Sequence, residues 1–200
     1  MGYEGSNPSR RTKMDFSIKV DEDLSLKLRH EEDTDTVFNL VEKNRAHLKP
    51  WLPWVDKTLT PEDSRKYILD GLENFKNKKT ADFGIFYQET LVGSMGFNKI
   101  DSVNKKAEIG YWIDSDYEGK GIMTKCVTTI INYGFNELNL NRIEIRCSIL
   151  NKRSAAIPKK LGFTHEATLR EDHKITEPET GAEFTDGLVF GILRKEWLLR

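Results

Sequence analysis

The sequence predicts an α+β, or mixed α/β, fold in which one sheet carries helices on both faces. Three observations lead there. Short apolar runs such as Ile109-Gly110-Tyr111-Trp112-Ile113 read as strands. Longer segments such as Met123 to Leu138 repeat apolar residues at helical spacing. The two kinds interleave as strand, two helices, three strands, helix, strand, helix, two strands. No internal repeat or second core is visible, so residues 14–200 are expected to form one domain.

Each element has a local reason. Leu24, Leu26 and Leu28 alternate with Ser25, Lys27 and Arg29, the period of a half-buried strand. Glu31-Glu32-Asp33 and Thr34 suit a helix N-terminus, where acidic groups meet the positive end of the dipole. Val37, Leu40, Val41 and Leu48 give that helix its apolar stripe, and Pro50-Trp51-Leu52-Pro53-Trp54 ends it in an aromatic loop. A second helix opens at Pro61, a residue suited to the first helical position, and ends in the basic run Lys76 to Lys79. Strands are expected over Asp82–Tyr87, Leu91–Asn98 and Lys106–Ile113, then a helix over Met123–Leu138 and a strand over Ile143–Ile149. Ser154 to Leu161 reads as a short helix interrupted by Pro158, and Phe163–His173 and Phe184–Leu193 as a closing strand pair. Thr176 to Gly181 between them has turn chemistry.

Bulk properties bound the function. A formal net charge of −1 offers no electrostatic case for nucleic acid. Two cysteines, Cys126 and Cys147, are too few for a disulfide framework and suggest a reducing compartment. No apolar run is long enough to span a bilayer and no signal-peptide core follows the N-terminus, so a cytoplasmic location is expected. Residues 1–13 are polar and without apolar period, as in a disordered extension. His30, His47 and His165 lack ligand spacing, and no metal is expected.

The chemistry centres on Glu118-Gly119-Lys120-Gly121-Ile122. It sits between an apolar strand and a helix start, where unpaired N–H groups and the helix dipole suit a diphosphate. Taken alone, a Gly-x-Gly sequence fits an ordinary tight turn equally well. Further on come Asn151-Lys152-Arg153-Ser154 and Leu161-Gly162-Phe163. With Ala107 to Ile113, Leu138-Asn139-Leu140-Asn141-Arg142 and the tail Asp186 to Trp197, these segments resemble the GNAT (general N-acetyltransferase) superfamily. More narrowly, the chain resembles the bacterial group of ribosomal-protein serine/alanine N-acetyltransferases, over nearly its whole length from about Leu24. The resemblance implies a mostly antiparallel sheet that splays into a V-shaped gap between the strand ending at Ile113 and the strand from Ile143. The pantetheine arm of acetyl-CoA would occupy that gap.

The same resemblance assigns roles to residues. Ile113, Gly119, Lys120, Gly121, Ile122, Met123 and Thr124 would hold the cofactor, largely through main-chain amides, and Asn151 would bond the pantetheine arm. On its sequence position alone, Asn151 is also a good helix cap. Ser154 matches a position that protonates the departing thiolate, and it reads equally as a first-turn serine. Glu108 matches a catalytic base, with a structural glutamate as the alternative. His173 stands where relatives carry a carboxylate, with Glu171 and Asp172 beside it. Arg45, Trp51, Trp54 and Tyr111 are expected near the acceptor. Asp116 departs from the family pattern of Gln or Arg at that place, and a carboxylate there disfavours a neighbouring phosphate. Cys147 reads as strand packing and Cys126 as core.

The expected activity is acetyl-CoA-dependent acetylation of a primary amine by direct attack, without a metal. The implied acceptor is the N-terminal α-amine of a protein, of ribosomal-protein type. A small amine (polyamine, amino acid or aminoglycoside) is the alternative acceptor, and a non-catalytic acyl-CoA-binding module the alternative class. No nucleic acid or membrane partner is implied, and self-association is common among relatives.

Overall fold

Why the strands and helices end where they do is clearest at their caps. A computed structural model describes residues 14–175 and 183–199. The expected extension 1–13 and the turn at 176–181 lie outside the described residues. Helix α1 (Thr34–Leu48) follows a tight turn over Glu31–Asp33 in which the Asp33 carboxylate accepts the His30 N–H. Helix α2 (Pro61–Lys76) begins with a reciprocal cap: the Asp63 carboxylate accepts from the Thr60 N–H and hydroxyl. Helix α4 (Lys152–Lys160) is capped by Asn151, whose Oδ1 accepts the Ser154 N–H at 3.0 Å. Helix α3 (Ile122–Asn136) has no side-chain cap at all. A short helix α5 (Arg194–Trp197) ends the fold.

The strands are β1 (Ser17–Lys19), β2 (Leu24–Lys27), β3 (Ala81–Tyr87), β4 (Thr90–Asp101), β5 (Lys106–Ile113), β6 (Arg142–Ser148), β7 (Thr164–Lys174) and β8 (Phe184–Leu193). They form one sheet in the order β1-β2-β3-β4-β5-β6-β8-β7. Among the described residues only the pair β5/β6 is parallel. Sequence reading did not anticipate β1, although Phe16, Ile18 and Val20 alternate and pack on the core. The helix expected from Ser154 starts two residues earlier, at Lys152, directly after its Asn151 cap.

The two faces are covered differently. On one, α3 packs Ile122, Met123, Cys126, Val127, Ile130, Ile131 and Phe135 over the central strands, joined by Ala155 of α4. On the other, Val37 and Leu40 of α1 and Ile68 of α2 pack with Leu91 and Trp112. That second layer covers the β2–β5 side and leaves the β5-β6-β8-β7 region of its face open. The open floor is charged, which sets the position of the site.

Candidate active site

The sheet parts at its centre. Pairing of β5 with β6 runs from Lys106↔Arg142 to Ile109↔Ile145 and stops. Beyond that point Gly110 to Ile113 remain paired only to β4, and Arg146 to Ser148 only to β8. A V-shaped gap therefore opens with its apex beside Ile109 and Ile145.

The glycine turn lies past the open end of β5. Gly119 and Gly121 have φ of +73° and +77°, and a Cβ on either would meet only open space. These left-handed values favour glycine. The first helical bond runs from Lys125 N–H to Gly121 C=O at 3.2 Å. The N–H groups of Ile122, Met123 and Thr124 thus precede it, with no capping side chain on them. Open space, free donors and a dipole end fit a diphosphate. The Lys120 ammonium lies 4.6 Å over the Tyr117 ring, and Lys125 pairs with Asp21 at 2.7 Å.

Asp116 is neutralised from α1. Lys43 Nζ bonds the Asp116 and Asp114 carboxylates, each at 2.6 Å. Burial pushes the Asp114 carboxyl up, but the Lys43 and Asp116 N–H bonds outweigh it and hold the group below its ordinary range. A carboxylate unsuited to a phosphate turn is thereby reconciled with one. Glu118 ties the turn to both walls, pairing with His47 of α1 at 2.9 Å and with Arg153 of α4. The Arg153 contact crosses the mouth of the gap.

A second crossing lies deeper. The Tyr111 hydroxyl donates to the Ser154 carbonyl at 3.0 Å, and the Ser154 hydroxyl lies 3.3 Å from the Tyr111 oxygen. Pro158 explains why that carbonyl is available. It stands four residues beyond Ser154 inside α4 and has no N–H to donate back. Burial pushes the Tyr111 phenol well above its usual range and also raises the Cys147 thiol, toward which Ser154 hydrogen-bonds. A buried thiol kept protonated is a poor nucleophile. Tyr111, expected near the acceptor, therefore joins Ser154 on the α3/α4 face. Glu108 and Trp112, an odd number of positions away along β5, face the other side.

On that other face lies an open trough. A cavity of about 320 Å³ is lined by Lys99, Asp101, Lys106, Ala107, Glu108, Glu144 and Arg146. Its charges form a ladder. Arg146 sits 3.5 Å from Glu108 and 3.0 Å from Glu144, while Arg142 bonds Glu144 at 3.0 Å and Glu166 at 2.6 Å. Burial raises the Glu108 carboxyl, Arg146 opposes the shift, and Glu144 and Asp172 add to it. Glu108 stands one residue before the apex of the gap.

One side chain here escaped sequence reading. Asn98 bulges out of the β4/β5 register and lies over Gly110, within 2.4 Å of where a Cβ would be. It is thus on the trough floor between Glu108 and Trp112. Trp112 itself pairs with Trp54 at 6.1 Å between ring centroids, forming the wall toward α1. Trp112 was legible as a neighbour of Glu108 from its even spacing along β5; nothing in the sequence marked Asn98. At the far rim, β7 advances from Leu169 to His173 while β8 advances only from Gly187 to Thr185. The extra residues, with Glu171 at φ +52°, bring both Asp172 and His173 over Gly187. His173 Nδ1 is buried without a hydrogen-bond partner, 3.7 Å from Asp172. Arg45 does not reach the trough: it bonds Glu42 and the Val55 and Thr58 carbonyls, and so pins the loop that carries Trp51 and Trp54. Trp51 is half-buried at the end of α1.

Comparison with known proteins agrees with this geometry. Residues 24–164 match the acetyltransferase (GNAT) domain model. The ribosomal-protein-serine acetyltransferase of Escherichia coli (strain K12) is 31% identical over 158 residues, 79% of this chain and 88% of that one. Among solved structures, the ribosomal L7/L12 α-N-protein acetyltransferase RimL in complex with coenzyme A superimposes with a TM-score of 0.84. It is 25% identical and covers 89% of this chain and 98% of its own. The microcin C7 self-immunity acetyltransferase MccE, in complex with acetyl-CoA and AMP, has a TM-score of 0.81 at 25% identity, covering 88% and 95%. By its fold, its parted central strands and its matching sequence, the chain belongs to the GNAT acetyltransferase family.

Proposed function

We propose that this enzyme uses acetyl-CoA to acetylate the N-terminal α-amine of a protein by direct attack. The observation that carries the reading is the parted β5/β6 pair, with an uncapped helix start at its mouth and the Glu108 carboxylate one residue before its apex. The cofactor supplies an activated acetyl thioester. The amides of Gly119 to Thr124 hold its diphosphate, and Asn151, whose Nδ2 remains free of the helix cap, bonds the pantetheine arm. Ile113 lines the open edge of β5.

Glu108 takes the proton of the incoming ammonium, directly or through a water, its burial making it a stronger base than an ordinary glutamate. Ser154, beside Tyr111, returns a proton to the departing sulfur. His173 and Asp172 flank the acceptor, with Trp54, Trp112 and Asn98 opposite. A free α-amine titrates near pH ~8, so modest base assistance suffices at neutrality.

The trough favours a peptide over a polyamine. A polycation needs unpaired carboxylates, whereas Glu144 and Glu166 are already held by arginines. The names of the ribosomal-protein relatives support the same reading. The two described cysteines are free and buried, which fits a cytoplasmic location.

The test is CoA release with acetyl-CoA and a panel of free peptides, N-blocked peptides, polyamines and aminoglycosides. Acetylation confined to free peptide termini is expected; activity restricted to small amines overturns the reading. Two substitutions probe its parts. Gly121→Val forces a β-branched residue to positive φ at a cost of about 1–2 kcal/mol and intrudes on the diphosphate space. Calorimetry is expected to show at least ~10-fold weaker CoA binding. Ser154→Ala is expected to lower kcat about 10–10²-fold, less than the loss of a base, because a thiolate leaves readily. An unchanged kcat, with single-turnover measurements confirming that chemistry limits the rate, removes Ser154 from the mechanism.

A further inference from the structure

The end of the sheet remote from the glycine turn is basic and unpaired. Main-chain bonds gather its segments: Ile100 N–H to Lys79 C=O at 2.9 Å, Asn141 N–H to Lys105 C=O at 2.6 Å, and Arg194 N–H to Asn141 C=O at 2.9 Å. Lys76, Lys78, Lys79, Lys99, Lys105 and Lys106 are all exposed on these segments. Among the described residues none of them forms an ion pair; Lys27, Lys43, Lys49, Lys125 and Lys174 each do. The other unpaired lysines are divided among β1, α2, α4, α5 and the turns at Lys57 and Lys120. Of the carboxylates near this end, Asp101 is taken up by the Asn104 main-chain and side-chain amides and feels Lys106. Glu144 and Glu166 are held by Arg142 and Arg146. Six exposed, unpaired lysines thus gather on adjoining segments at this end, against the exposed carboxylates Glu73 of α2 and Glu137 after α3.

The pole is continuous with the trough. Lys99 and Lys106 line the same cavity as Glu108, and Lys106 precedes it by two residues on the same face of β5, about 7 Å away. A peptide whose amine reaches Glu108 and whose extended backbone leaves along the trough meets these lysines within its first few residues. The others follow at about 3.3 Å per residue.

We propose that the acceptor is an acidic polypeptide, whose Asp- and Glu-rich segment just after the free N-terminus docks on this lysine pole. The inference rests on the N-terminal acetylation reading and specifies its substrate class. Charge complementarity of this kind accelerates encounter and sets register more than it adds contact energy. Nucleic acid fits the surface poorly: among the described residues no exposed aromatic at this end offers a stacking platform, Arg142 is engaged by carboxylates and Arg194 by the Asn139 side chain.

Docking and turnover are measured separately on the CoA-bound protein. Labelled peptides share one N-terminal residue and one length and carry either Asp/Glu or Gln at positions three to ten. Fluorescence anisotropy is expected to give affinity at least ~10-fold higher for the acidic peptide at low salt, approaching parity near 1 M salt, where the screening length is ~3 Å. Lys99→Gln/Lys106→Gln and, independently, Lys78→Glu/Lys79→Glu each collapse the acidic-to-neutral ratio, as does kcat/KM measured on the same pair. Equal affinities, or a preference untouched by both double variants, overturn the proposal. So does a single-stranded RNA that displaces the acidic peptide at lower concentration than that peptide displaces itself. Selective docking without acetylation of any peptide leaves the lysine surface standing and removes the N-terminal transferase reading; acetylation without acidic preference does the reverse.

Discussion

Replacing Glu108 by glutamine is expected to lower kcat/KM for a peptide acceptor about 10²–10⁴-fold, the range for loss of a positioned base, with CoA affinity within about twofold of the original. The substitution keeps the shape of the side chain and removes only its ability to take a proton. The pH profile adds a signature that a structural role lacks. A base works in its deprotonated form, so activity rises as pH passes through its pKa. Burial and the Glu144 and Asp172 charges move that rise above the ordinary glutamate range, against the pull of Arg146. Arg146→Met removes the opposing cation, so the acid limb moves to still higher pH. Glu108→Gln abolishes this limb and leaves only the amine's own titration near ~8. If Glu108→Gln retains activity within about threefold while His173→Ala loses the acid limb, the base is the imidazole at the rim and the assignment to Glu108 is wrong.

Much of this architecture was legible because it rests on local rules. Lys106 to Ile113 was bounded correctly by its apolar run, and Pro61 announced the start of α2. The glycine turn was readable because positive φ is expensive for other residues, so Gly119 and Gly121 reported their own backbone. What stayed hidden depends on partners distant in sequence. Asp116 appears unsuited to a phosphate turn until Lys43 arrives from α1, 73 residues away. Pro158 reads as a helix fault, yet the bond it fails to make leaves the Ser154 carbonyl for Tyr111. Two missed features were within reach. The alternation of Phe16, Ile18 and Val20 marked β1, and the odd spacing of Glu108 and Tyr111 placed them on opposite faces of β5. Arg45 illustrates a different limit: a charged residue beside an aromatic loop looks the same in sequence whether it binds substrate or pins the loop.

Helix α2 is tied to the sheet through a buried charge, which yields the largest expected change in stability. Arg29 on the chain after β2 is 5% exposed and reaches Asp82 of β3. Asp82 also accepts from the Tyr67 hydroxyl of α2 and from Ser94 at 3.0 Å. The Tyr67 ring is half exposed, but its hydroxyl end lies inward, and burial beside Asp82 pushes it up to about 12. Asp82 thus joins α2 to β3 and β4 at one point. Asp82→Ala leaves a buried guanidinium, already unpartnered at Nε, with no counter-charge. Breaking such a pair costs about 3–5 kcal/mol, or roughly 6–20 °C in Tm for a chain of this size. Replacing both members by Arg29→Met/Asp82→Leu removes the orphaned charge along with the pair. That double variant is expected to recover most of the loss. Urea unfolding of the single and double variants separates the explanations: an Asp82→Ala loss below about 1 kcal/mol means water already serves Arg29. A double variant no better than the single means that the site contributes shape rather than charge.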